Sequence, residues 1–177
     1  MVNDIRVASS SSNFEEVRKL YRGLGEWQAQ TYHDVVFLLS GFFASLEADI
    51  ASLPGEYGPP RGCLLLACVN GNAAGTIALK DFGGNTCEMK RLFVSSEYQD
   101  QGLGRALVGH LLDEAQQLGY ARMVLETGPR QVAAQRLYTK LGFHRTVAYN
   151  QDGIPEEIIP ELPEDLQAGV FYYEKSL

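Results

Sequence analysis

Positive charge is scarce in this sequence: 15 Lys and Arg stand against 22 Asp and Glu, for a formal net charge of -7. So acidic a surface meets a phosphate backbone poorly, which excludes nonspecific nucleic-acid binding as a general role. It suits a cationic small molecule or a basic peptide better. Long apolar runs are also missing, since stretches such as 35–39 and 63–69 fall far short of a bilayer-spanning segment. The opening MVNDIRVASS lacks the basic-then-apolar layout of a signal peptide, so the expected location is the cytoplasm, with no membrane partner. Cysteine is sparse and odd in number. Cys63, Cys68 and Cys87 lie in strand-like segments without paired metal-ligand spacing, so reduced, buried thiols and no metal are expected.

What is present is a chain of 177 residues, 45% hydrophobic, read as one globular domain over 1–177. IRVA reads as a first strand. Ser12 or Asn13 can cap a helix with Glu15 and Glu16 in its first turn, and the apolar spacing from Phe14 to Leu24 ends it near Gly25. A second helix is predicted over 42–53. CLLLACV, AAGTIALKDF and TCEMKRLFV, joined by NGN and GGN turns, form an antiparallel meander over 63–94. An apolar stripe from Leu103 to Leu118 marks a long helix, RMVLET a buried strand, and 131–141 a further helix stopped by Gly142. FHRTVAY and GVFYYEK close the chain. Between them, 150–168 holds six acidic residues, three prolines and no Lys or Arg, and reads as a loop. The order is β-α-α-β-β-β-α-β-α-β-β, an α+β fold with helices on both faces of a mixed, mostly antiparallel sheet.

The stretch EYQDQGLGRAL places Gly102 and Gly104 immediately before the long helix. Free N–H groups at a helix start, on a backbone without Cβ atoms, make an anion site. A P-loop would need a Lys followed by Ser or Thr, which GLGRAL lacks. A dinucleotide fingerprint would need a third glycine where Leu107 stands, in a first βαβ unit, and here the preceding strand closes a meander.

Gln99, Gly102 and Gly104 make a Q-x-x-G-x-G pattern that resembles the acyl-CoA pyrophosphate loop of the GNAT N-acetyltransferase superfamily. CEMKRLFV before it and AAQRLYTKLGF after it resemble the same family, most specifically over 88–143. The resemblance implies a GNAT-like fold and acetyl-CoA as acyl donor. It implies that the amides of Gln101, Gly102, Leu103, Gly104 and Arg105 hold the pyrophosphate. Main-chain groups of Leu92, Phe93 and Val94 would pair with the pantetheine arm. Asp100 and Gln101 stand where relatives often carry glycine and a basic residue. Gln131, three before Ala134, occupies the place of a cofactor-contacting Asn.

By the same resemblance, Tyr138 lies near the thioester sulfur. A phenol of pKa ~10 can donate to a leaving thiolate of pKa ~8.5; the other reading of Tyr138 is a core aromatic beside Leu137. An amine of pKa ~10.4 is free in about one molecule in a few thousand at neutral pH, a deficit of roughly 4–5 kcal/mol. Glu88, eleven residues before Gln99, matches the general base of some histone-acetylating relatives, or is an ordinary strand carboxylate paired with Lys90 or Arg91. Trp27, Tyr32, His33 and Asp34 lie where relatives build the acceptor pocket, and an aromatic, acidic lining would suit an ammonium; the other reading is scattered surface residues. The acidic loop either reaches over that pocket or is a solvated insertion. No Cys–His pair sits near the motif, so direct transfer in a ternary complex is expected rather than an acyl-cysteine.

The expected activity is acetyl transfer to a primary amine of a small molecule or peptide, by a monomer or homodimer. A non-catalytic acyl-CoA-binding sensor, and an O-acyl or longer-chain acyltransferase, are the alternatives. The acceptor's identity is not written in the motifs.

Overall fold

The computed structural model describes residues 4–150, 154 and 156–177. Its elements are β1 (Asp4–Val7), α1 (Ser11–Thr31), a 3-10 segment His33–Leu39, α2 (Ser40–Ser52), β2 (Cys63–Val69), β3 (Asn72–Gly83), β4 (Thr86–Val94), α3 (Leu103–Gln117), β5 (Arg122–Thr127), α4 (Val132–Lys140), β6 (His144–Thr146) and β7 (Phe171–Ser176). The order of helices and strands is the one read from the sequence. All seven strands join one sheet in the order β1-β2-β3-β4-β5-β7-β6, antiparallel except for the β4–β5 pair.

Three local readings change. Ser10 caps α1, its Oγ accepting the Asn13 N–H at 3.2 Å, in place of Ser12 or Asn13. The helix runs on through Gly25 to Thr31, because Gly23 and Gly25 serve packing rather than termination. A Cβ on Gly23 would sit 3.1 Å from the Phe93 ring, and one on Gly25 3.2 Å from Leu46 Cδ2. The closing FHRTVAY strand shortens to three residues, and Val147 beyond it is exposed. In the acidic loop, Asp152 and Pro155 lie outside the described residues. The rest is irregular, with short 3-10 turns at Ile159–Glu161 and Glu164–Leu166.

Strand alternation divides the core. Along β2, Cys63, Leu65, Ala67 and Val69 face α3 and α4, while Leu64, Leu66 and Cys68 face α1 and α2. Both faces are covered, so all seven β2 residues are buried. The three thiols are unpaired and buried, and burial pushes Cys63 and Cys87 up to about 12. Cys87 Sγ faces the α3 side, which fits an inert core thiol.

The feature that makes a site is the separation of β4 from β5. Only Thr86, Cys87 and Glu88 pair with Arg122, Met123 and Val124. Beyond them β4 is bulged: Thr76 pairs Phe93 and Ala78 pairs Lys90, so Ile77 alone opposes Arg91 and Leu92. Arg91 sits at φ 59, a left-handed conformation rare for arginine. A bulge bends its strand and increases its twist, and this one carries β4 away from β5. The Arg91 side chain, only 5% exposed, is held by Asp49 Oδ2 (2.7 Å) and Ser45 Oγ (2.7 Å) of α2, and Tyr57 donates to the same carboxylate at 2.7 Å. Among the described residues, the helical stretch His33–Ser52 is long and apolar enough to cross a membrane by length and composition. In this fold it is kinked at Val35 and buries Leu46 and Ile50 against α1.

Removing one partner of the Arg91–Asp49 pair strands a buried charge. Asp49→Ala is expected to lower stability by about 3–5 kcal/mol, read as a fall in the urea midpoint. A loss below about 1 kcal/mol, the scale of exposed ion pairs, would mean the bulge does not depend on this pair.

Candidate active site

A cavity of about 640 Å³ occupies the gap between the diverging strands. Its lining comes from both sides of the sheet. Met89 and Tyr138 belong to the core under α3 and α4, Leu24 to the core under α1, and Val35 and Leu166 to a third cluster. The cavity therefore passes through the sheet where the ladder has parted, and a ligand on one face can reach a ligand on the other.

The glycine motif stands beside the end of β4, where a Cβ on Gly104 would lie 3.9 Å from Val94 Cγ2, and its Gln99 lines a second, smaller cavity. Asp100 and Gly102 adopt φ 59 and 81, and Gly102 caps α3 without a side-chain hydrogen bond. The first helical bond runs from Ala106 N–H to Gly102 O at 3.0 Å. The N–H groups of Gln101, Gly102, Leu103, Gly104 and Arg105 make no hydrogen bond among the described residues, so five consecutive donors are unpaired at the positive end of a 15-residue helix. A Cβ on Gly104 would meet only ordinary contacts, the nearest at 3.6 Å, so nothing inside the protein requires glycine there. The side chains of the motif brace the loop: Gln99 Nε2 donates to Val94 O (3.0 Å) and Gln101 Nε2 to Glu97 O (3.0 Å). Asp100 takes the left-handed slot that glycine fills most easily, as Asp does more readily than most residues.

On β4, Ser95 N–H donates to Ala74 O on β3 at 2.9 Å. By alternation the main-chain groups of Val94 point the other way, towards the gap, and those of Phe93 towards β3. Of the three residues expected to offer backbone to a pantetheine arm, Leu92 also lines the cavity, whereas the Phe93 ring packs against Gly23.

Tyr138 lines the cavity from α4, 6% exposed, with its ring edge-on to Phe143 and tilted against Tyr173. Burial first, and the neighbouring Tyr173 second, hold its hydroxyl well above the usual phenol range. It is thus a neutral donor across physiological pH. Ala134 is half-buried on the same helix, against the α3 side of the core. Gln131 lines the cavity, but its amide is already engaged. Its Oε1 accepts from Thr127 Oγ1 and from Gly128 N–H (3.1 Å), and its Nε2 donates to buried Gln28 (3.1 Å).

Glu88 lies below the cavity, at the last rung where β4 and β5 still pair, and does not line it. It is buried, with Lys90 as an ion-pair partner, the ordinary reading of a strand carboxylate. Lys90 Nζ lies 3.5 Å from Oε1, and the Tyr149 hydroxyl donates to the same oxygen at 3.1 Å. The carboxylate that does line the cavity is Glu126 on β5, 3.1 Å from Lys90 Nζ, with Asn150 Nδ2 donating at 3.0 Å. Burial alone would push the Lys90 ammonium down, but Glu126 and Glu88 more than offset it and hold Lys90 charged. Sequence reading overlooked Glu126. The available signal was register: Val124 pairs Glu88, so two residues on, Glu126 emerges on the same face.

The four acceptor-side candidates separate. Tyr32 lines the cavity. Asp34 is exposed and outside the lining, His33 is exposed with Nδ1 3.2 Å from Gln30 O, and Trp27 lines a separate cavity of about 400 Å³ beside α1. Tyr32 and Asp34 are organised by Arg130, in the β5–α4 turn. It grips Asp34 at 2.5 and 2.8 Å, Asp165 at 2.7 Å and Thr31 O at 3.0 Å, and its N–H donates to the Tyr32 hydroxyl at 3.2 Å. One guanidinium thus ties the end of α1, the 3-10 segment and the acidic loop into a roof. Leu162 and Leu166 of that loop are buried against Tyr32 and Val35, so the loop covers the cavity. Gly128 is needed beneath it, because a Cβ there would lie 2.2 Å from the Tyr32 hydroxyl.

Comparison with known proteins gives the family and the fold. The acetyltransferase (GNAT) family profile matches residues 15–143, and the chain belongs to that family of acyltransferases. An uncharacterised N-acetyltransferase of Schizosaccharomyces pombe is 38% identical over 122 residues, 68% of this chain and 75% of that protein. N-acetylaspartate synthetase of Danio rerio is 31% identical over 119 residues, 66% of this chain but only 42% of that longer protein. Among solved structures, PaiA N-acetyltransferase from Thermoplasma acidophilum in complex with coenzyme A has TM-score 0.69 at 18% identity, each chain 98% covered. A GNAT acetyltransferase from Staphylococcus aureus Mu50 aligns equally well, with TM-score 0.69, 20% identity and 98% coverage of both chains. These two likenesses establish the fold.

The Arg130 hydrogen bonds hold the Asp34 carboxyl down at about 2 and depress Asp165 in the same direction. A depressed carboxylate stabilises the fold above its unfolded pKa of about 3.9, and that contribution is lost as pH falls through the folded value. The roof is therefore expected to be indifferent to pH near neutrality and to loosen only between about pH 4 and 2. Carboxyl NMR should find Asp34 titrating near 2. An ordinary value near 3.9 would show the clasp open in solution.

Proposed function

We propose that this protein transfers the acetyl group of acetyl-CoA to a primary amine by direct attack within a ternary complex. The observation that carries this reading is the run of five unpaired amides at the head of α3, beside the gap between β4 and β5. Those amides would hold the pyrophosphate, and the Val94 N–H would hold the arm that enters the gap, its carbonyl being already engaged by Gln99. Bound acetyl-CoA supplies an acyl thioester; everything else in the reaction falls to this chain's residues.

Attack by the amine nitrogen on the carbonyl carbon forms the C–N bond, and the C–S bond breaks as the thiolate leaves. One proton is lost from the ammonium before attack, one from nitrogen afterwards, and one is taken up by sulfur. Tyr138 donates a hydrogen bond to the departing sulfur. Because burial keeps its proton tightly held, it acts more by stabilising the thiolate than by surrendering the proton outright. Glu126 meets the ammonium and orients it. Glu88 stands behind Lys90 as its anchor; Lys90, held charged, cannot accept a proton, so the two protons lost from nitrogen pass to solvent. The closed roof excludes water, which strengthens each of these interactions.

Calorimetric titration with acetyl-CoA, with NAD as control, tests the donor site. Saturable binding of acetyl-CoA alone at micromolar concentrations is expected, followed by thiol release with amines. Absence of binding at tens of micromolar would overturn the reading. Tyr138→Phe should lower kcat by about a hundredfold while leaving the acetyl-CoA Kd within about twofold. Binding without turnover towards any amine would instead favour the non-catalytic sensor. Asp100→Gly, which relieves a left-handed residue and removes a negative charge beside the amides, should tighten acetyl-CoA binding several-fold, with the gain shrinking as salt rises. A weaker-binding Asp100→Gly protein would contradict the proposed place of the pyrophosphate.

A further inference from the structure

We infer that the acceptor is a primary amine with an apolar body, whose ammonium sits against Glu126 and whose body lies under the roof. The inference rests on the acetyl-transfer reading and adds the acceptor's chemistry to it. The wall beyond Glu126 is apolar: Tyr32, Val35, Leu38, Leu39, Phe42 and Leu166 line it. It continues outward as a lip, for Val36 and Phe37 next to it are 45% and 65% exposed. An apolar body of several carbons therefore finds continuous contact from the reaction centre to the rim.

Charge at the inner end selects the head group. Lys90 is shared between Glu88 and Glu126 at 3.5 and 3.1 Å, and Lys80, 4.0 Å from Glu88, is itself paired with Glu56 at 3.2 Å, so three carboxylates stand against two ammonium groups and one negative charge is left over. Arg91, the other cation lining the cavity, is neutralised by Asp49 at 2.7 Å. Among the described residues, each cation lining the cavity therefore already has a carboxylate, and the lining residues counted together with those buried partners, Glu88 and Asp49, carry a surplus of one negative charge. An ammonium offsets that surplus. An amino acid with acidic groups would bring further negative charge to a cavity with no unpaired cation to receive it, against apolar walls that solvate charge poorly. The chain thus departs from what the name of its relative N-acetylaspartate synthetase implies for that protein.

The test is thiol release from acetyl-CoA with the purified protein and a graded panel: methylamine, butylamine, hexylamine, phenethylamine, spermidine and aspartate. kcat/KM should rise about fourfold per added methylene along the alkylamines. Phenethylamine should exceed aspartate and spermidine by at least about a hundredfold. Glu126→Gln should raise KM for every amine by about tenfold while keeping the chain-length gradient. Leu39→Asn should flatten the gradient instead. Acetyl-CoA calorimetry on each variant verifies an intact fold, and the wild-type gradient stands as a test without either variant. A flat gradient, or preference for aspartate or spermidine with acetyl-CoA binding intact, overturns the acceptor class and leaves acetyl transfer standing. Acetyl-CoA binding with no thiol release from any amine overturns both.

Discussion

The ladder between β4 and β5 lasts three residue pairs and then parts, and the rest of this site exists because of that parting. Parallel strands side by side would ordinarily satisfy one another's main-chain groups along their whole length. Here the bulge at Arg91 turns β4 aside, and the left-handed backbone that makes the bulge is an unfavourable choice for that residue. Its side chain is therefore committed elsewhere, to Asp49 and Ser45 on the opposite face. A buried ion pair rarely adds much to stability over an apolar substitute. In this position its consequence is architectural: it couples α2 to the bend that opens the sheet. The opened strand edge leaves backbone groups unsatisfied, the liability that folded proteins usually cover. A donor arm laid along the same edge would cover it.

The remaining parts divide the work by chemistry. Backbone amides and a helix end handle the anionic portion without any basic side chain committed to it, which suits a chain with net charge -7. A buried phenol, one lysine and the carboxylate of Glu126 line the cavity where charge changes during acyl transfer, and Glu88 backs the lysine from outside the lining. The roof is a separate structure, assembled from three chain segments by Arg130. Its ion pairs are partly exposed and so weak individually, but they converge on one planar guanidinium whose fork matches both carboxylates at once. Apolar burial of Leu162 and Leu166 supplies the adhesion, and the clasp fixes the register.

How much of this could be read from the sequence depends on how local each signal is. The meander, the glycine motif and the apolar stripe of α3 are written in consecutive residues, and the element order follows from them. The end of α1 was misplaced because Gly23 and Gly25 resemble stop signals locally. Their true reason, the approach of Phe93 and Leu46, is tertiary. The same limit hid Arg130, whose partners Asp34 and Asp165 lie 96 and 35 residues away. It also made the acidic loop look like a solvated insertion, since its charges outnumber the two leucines that dock it. Glu126 was legible in principle through strand alternation, but only once the β4–β5 register was known.

Amide NMR shift mapping during an acetyl-CoA titration tests the central claim most directly, because it reports each backbone N–H separately. The account predicts the largest shifts at Gln101, Gly102, Leu103, Gly104 and Arg105, with a second group at Leu92 and Val94 on the edge facing the gap. Shifts confined to the smaller cavity around Trp27 and Ser96, with the α3 amides unmoved, would contradict it.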